Sequence, residues 1–137
     1  MNARAADSGL TAIAHESMPY TAAIGLEVLS AAAEEVRARV AWREAFCTAG
    51  GVLHGGVLMS VADSAGAYCA FLNLPEGSSG TATIESKTNF FRAVSSGHVV
   101  AVSRPLHVGR TTIVVETDLF DDGDRRVARV TQTQAVL

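Results

Sequence analysis

Residues 50–71 read GGVLHGGVLMSVADSAGAYCAF, and the groups in this stretch with chemistry of their own are His54, the backbone at Gly55 and Gly56, and the carboxylate of Asp63. Leu58, Val61, Ala62, Ala65, Cys69 and Leu72 follow the helical period, so one long helix is predicted over 54–72 with a single charge inside it. A carboxylate on a buried helix is costly unless it is paired or faces a cavity. Its neighbours one turn away are Met59, Ser60, Gly66 and Ala67, none of them cationic. Two readings follow. Asp63 caps a helix that begins at Ser64, with 52–62 as a strand, or it lines a cleft as nucleophile or general base.

His54-Gly55-Gly56 also reads two ways. The glycines permit a tight turn with His54 at a partly exposed helix start. Alternatively, unpaired N–H groups at a glycine-led helix start, with the positive end of the helix dipole, suit an oxygen that gains negative charge. Asp63 lies eight residues beyond Gly55, about 12 Å along a helix axis at 1.5 Å per residue. One reacting carbonyl cannot touch both. If both act on one substrate, each must come from a different copy of the helix, so the active unit is at least a dimer with two equivalent sites about a two-fold axis.

The elements that must position these groups are legible as patterns. A short helix or arm is expected around 8–16. Leu26/Val28 and Val36/Ala38/Val40/Trp42 alternate with polar residues and break near Ala33-Glu34, as in a hairpin. Turn chemistry fills 43–53. After Gly77-Ser78-Ser79-Gly80, four strand-like segments begin at Thr81, Gly97, Arg110 and Arg125, separated by short turns, and predict an antiparallel meander. One long helix among strands gives an α+β layout in which a curved antiparallel sheet wraps the helix. Small residues at Ser60, Ala62, Ser64, Ala65, Gly66, Ala67 and Ala70 suit the close approach of strands.

A chain of 137 residues suits one domain. Eleven basic against fourteen acidic residues, with no cationic run, suggest neither nucleic acid nor a membrane surface as partner, so the expected ligand is small. The N-terminal segment lacks the apolar stretch of a signal peptide, and polar residues are expected to break every later apolar run before membrane-spanning length. The expected location is cytoplasmic, with Cys47 and Cys69 as reduced packing residues. The four histidines do not join Cys or acid at metal-site spacing, so no metal is expected.

The stretch from Gly50 to Phe71 resembles the signature of hotdog-fold acyl-CoA thioesterases of the phenylacetate-degradation (PaaI-like) type: His-Gly-Gly at the helix start and an acid nine positions after the His. The similarity runs over about residues 19–136 and includes Gly25-Leu26-Glu27, the strand from Thr81 to Arg92, the Val108-Gly109-Arg110 turn, and Val127, Ala128 and Thr131 in the closing strand. It implies a sheet of about six strands around one central helix. It also implies hydrolysis of a small or medium acyl-CoA, with aromatic and aliphatic acyl groups both open, without metal or organic cofactor, coenzyme A being part of the substrate.

By the same resemblance Asp63 is the catalytic acid, the Gly55 N–H polarises the thioester carbonyl, and His54 shapes the helix start beside Gly56. Thr48 stands where relatives often carry Asn or Gln, and Thr83 where a hydroxyl holds water near the acid. Ala67 replaces the Thr of the hydroxybenzoyl-CoA branch. Phe90 to Ser95, including Arg92, and His107 to Thr112, including Val108, Gly109, Arg110 and Thr111, match the segments that take the nucleotide end of coenzyme A. A homodimer at least, pairing again into a homotetramer, is implied. The rival readings are a non-catalytic acyl-CoA-binding hotdog module, which the departure at Thr48 keeps open, and a hydratase, which the placement of His54 disfavours.

Overall fold

The computed structural model describes residues 4–137. Helix α1 (Ser8–Ser17) and the short α2 (Pro19–Ala23) precede strands β1 (Glu27–Ala32) and β2 (Glu35–Ala41). The long helix α3 (Gly55–Leu72) follows, and then β3 (Thr81–Phe90), β4 (His98–Val108), β5 (Thr112–Phe120) and β6 (Arg126–Val136). Asp7 caps α1 by accepting the Leu10 N–H at 2.9 Å. Of the two expectations, a short helix or an arm, the helix is the one formed. In β2 the alternation behaves as its pattern dictates: Val36, Ala38 and Val40 are buried, while Arg37 and Arg39 on the other face pair with Glu35 and Glu27.

The six strands form one antiparallel sheet in the order β1-β2-β4-β5-β6-β3. This corrects the expected meander. Only β4, β5 and β6 follow one another; β3 leaves its sequence neighbour β4, which pairs with β2, and lies at the far edge against β6. The reason is that the turns before and after a strand set its ends but not its partner. A longer connection adds little closure entropy, so the strand is free to dock at the far edge. Residues 91–97 carry that connection outside any strand.

Helix α3 packs against β2, β3, β4, β5 and β6. Leu58, Val61, Ala62, Ser64, Ala65, Gly66, Cys69 and Ala70 are buried along it, and burial pushes the Cys69 thiol up to about 11, where it is inert at neutral pH. Leu72, expected in the core, is instead exposed at the helix end. By length and composition α3 could cross a membrane, contrary to the expectation that polar residues break every apolar run. Here its apolar face is the centre of a core shared with Val99, Ile113, Val115, Leu119 and Val130.

Candidate active site

The start of α3 is set by a tight loop. Gly50 and Gly51 hold φ of +84° and +73°, values that favour glycine, and they fold the chain so that the Thr48 N–H bonds to the Val52 carbonyl at 2.9 Å and Cys47 bridges Leu53. His54 is the residue before the helix, with extended backbone at φ −61° and ψ 138°, and its Nδ1 accepts the Gly56 N–H at 2.8 Å. The imidazole is thus a helix cap, and the ring proton resides on Nε2. Gly56 leaves the space that the ring occupies. The N–H of Gly55 has no acceptor among the described residues, and Gly55 lines a cavity of about 340 Å³ with Leu53, Leu58, Phe90, Phe91, Arg92 and Ala93. The Phe90 ring lies within 3.1 Å of where a Cβ at residue 55 would sit.

Because α3 begins at Gly55, Asp63 lies in its interior, and the alternative in which Asp63 caps a helix from Ser64 falls away. Its side chain is on the face of α3 left uncovered in the single chain, next to the edge strand β3. The Thr83 hydroxyl donates to Asp63 Oδ1 at 3.3 Å and Gln132 Nε2 donates to the same oxygen at 3.5 Å. Oδ2 has no partner among the described residues. Behind Thr83, Gln134 Nε2 donates to its hydroxyl at 2.7 Å, and Thr81 donates to Gln134 Oε1 at 3.0 Å.

Gln132 and Gln134 are absent from the sequence-based site, although the pattern that reveals them is simple. Along β6 the buried face runs Ala128, Val130, Gln132, Gln134, so strict alternation places two amides where apolar side chains are the rule. Both are fully buried, and a buried amide requires partners. Gln132 Oε1 nevertheless has none. It points at Gly66, where an added Cβ would overlap it. Alanine at a helix interior is favoured over glycine by about 1 kcal/mol, but overpacking costs about 1–3 kcal/mol. Gly66→Ala should therefore unfold at lower denaturant than the parent, with a loss of up to about 2 kcal/mol; a gain near 1 kcal/mol would mean that the amide swings aside freely.

The chain brings the named residues together as two separate groups. Gly55, Phe90, Phe91 and Arg92 share the cavity at the start of α3. Asp63 and Thr83 meet near the other end of β3. The β4–β5 turn lies on that second side, since the Thr111 carbonyl accepts the Val136 N–H at 2.9 Å and Val136 pairs with Thr81. In this turn Val108, Arg110 and Thr111 are exposed, and Gly109 lets its backbone lie close to the Thr112 carbonyl, 3.0 Å from where a Cβ would stand. Neither Arg92 nor Arg110 has a carboxylate partner among the described residues. Thr48 is exposed, and its hydroxyl makes no bond to Asp63 within the chain.

Known proteins share this fold. The family model of the thioesterase superfamily matches residues 50–128. A Mycobacterium tuberculosis protein named as a candidate esterase is 31% identical over 115 residues, 82% of each chain; its solved structure superposes with a TM-score of 0.84 at 30% identity, covering 88% of this chain and 97% of that one. The crystal structure of a thioesterase from Haemophilus influenzae gives a TM-score of 0.85 at 25% identity over 93% of this chain and 87% of that one. The proofreading thioesterase EntH of Cronobacter sakazakii is 33% identical over 87 residues, 64% of this chain and 63% of its own. With a single acid inside the central helix of a hotdog fold, this chain belongs to the thioesterase superfamily.

Proposed function

We propose that this protein hydrolyses acyl-CoA thioesters with a site built across two copies of the chain. The observation that carries the proposal is the division described above: an unpaired N–H and a cavity at the start of α3, and a carboxylate with one free oxygen about 12 Å further along the same helix. A thioester carbonyl bound at Gly55 of one copy receives its nucleophile from Asp63 of the facing copy. The open edge of β3 supports this arrangement. Its hydrogen bonds go to β6 on one side only, and it presents Ile84 at 64% exposure. A long edge strand with its outer N–H and C=O groups unpaired is a template for a further strand. Antiparallel pairing of two such edges covers Asp63 and brings the Arg110 turn of one copy toward Arg92 of the other.

In the proposed reaction the Gly55 N–H and the dipole of α3 stabilise the charge that develops on the carbonyl oxygen. Asp63 Oδ2 deprotonates a water that attacks the acyl carbon, or attacks it directly to give an anhydride that water then opens. In both routes one water is consumed, the C–S bond breaks, a C–O bond forms, and the leaving thiolate takes up the proton, giving a carboxylic acid and free coenzyme A. Arg92 and Arg110, free of carboxylate partners, suit the phosphates of the nucleotide. Phe90 and Phe91 give the cavity an aromatic wall that accepts an aryl or a medium-length acyl group.

The test is release of free thiol from a panel of aliphatic and aromatic acyl-CoA esters by the purified protein. Thiol should appear in equal amount with the acid. Saturable binding with no release above the spontaneous rate across the panel would favour a non-catalytic binding module instead.

A further inference from the structure

We infer that Gln132 and Gln134 are positioning residues that hold Asp63 by a single oxygen and thereby select Oδ2 as the one that reacts. The inference rests on the catalytic reading of Asp63 above. Gln132 lies on the core face of β6 with no exposure, and its one hydrogen bond is the donation to Asp63 Oδ1. Its own Oε1 is buried without a partner. An apolar side chain in that place would carry no such penalty, so the amide adds nothing to stability that a methionine would lack. Space for it is made on another element, at Gly66 of α3.

Gln134 acts one step further back. The Thr81 hydroxyl, shared between the Ala135 carbonyl at 2.9 Å and Gln134 Oε1 at 3.0 Å, favours the amide orientation in which Nε2 faces the Thr83 hydroxyl at 2.7 Å. With its oxygen occupied by that donor, Thr83 directs its single proton to Asp63 Oδ1. Two donors from two strands therefore converge on Oδ1, while Oδ2 stays open on the uncovered face of α3. A carboxylate held in this way keeps one oxygen turned to the open face, which is the type of pre-organisation that lowers an activation barrier without tightening substrate binding.

Gln132→Met keeps length and volume while deleting the donor and the orphaned oxygen. Its kcat should fall roughly ten- to a hundredfold, the scale on which bonds to a charged group contribute. KM should stay within about threefold and the melting temperature should hold or rise. If Gln132→Met fails to fold, Gln134→Met applies the same test through Thr83. In an Asp63→Asn background the Gln132→Met change should slow turnover no further, because no reacting carboxylate remains to be oriented. Parent-like kcat in a folded Gln132→Met protein, or an added loss in the double variant, overturns the inference. If Asp63→Asn by itself retains parent-like kcat, the catalytic reading fails first; if Asp63→Asn is impaired and the Met variant is not, only the positioning role fails.

Discussion

Asp63→Asn should lower kcat for acyl-CoA hydrolysis by about 10²- to 10⁴-fold, the contribution of a positioned base, with the fold and melting temperature close to those of the parent. The reason is local. Asn keeps a carbonyl oxygen where Oδ1 sits, so the bonds from Thr83 and Gln132 are retained. It places an NH₂ where Oδ2 is free, removing the lone pairs that attack or deprotonate. The side chain is exposed in the single chain, so the substitution removes a charge at little structural cost. Steady-state thiol release and thermal denaturation measure both halves of the claim. A variant with kcat within twofold of the parent would mean that Asp63 is not the reacting group.

A mixed dimer should regain what each of its chains has lost. Gly55→Pro deletes the N–H assigned to the oxyanion. Proline is well suited to the first helical position, and the extended backbone of His54 is compatible with a following proline. The nearest obstruction to the added ring is the Phe90 side chain, which is half exposed and free to give way. The Gly55→Pro homodimer should be slowed about 10²- to 10³-fold by loss of the oxyanion donor. In a heterodimer of Gly55→Pro with Asp63→Asn, isolated through two different tags, one site combines Gly55 of one chain with Asp63 of the other and the second site carries both lesions. Activity should return to about half that of the parent dimer. If Gly55 and Asp63 acted within one chain, every site would carry one lesion and the heterodimer would stay as slow as its components.

The local patterns along the chain translate directly into structure. Period-two alternation in β2 buries Val36, Ala38 and Val40, and helical spacing from Leu58 to Ala70 buries one face of α3. The structure decided that His54 caps α3 and that Asp63 lies in its interior, whereas a helix starting at His54-Gly55 is read from neighbouring residues. So is the separation of Gly55 from Asp63, since the rise per residue of a helix is a constant of the backbone. If both groups act on one carbonyl, that constant requires two copies of the chain.

Partnership between distant segments was beyond such reading. That β3 docks on β6 rather than on β4 is a property of the assembled sheet and not of the turns beside the strand. Gln132 meets Asp63 across 69 residues of sequence and Gln134 meets Thr83 across 51; only the register of β3 on β6 and the gap at Gly66 bring them together. Periodicity along a segment is set by bond geometry within a few residues, and so the sequence by itself determined the helix, the alternating strands and the acid. Which polar groups surround that acid was decided in the tertiary structure, because hydrogen bonds between strands depend on a packing that no single segment contains.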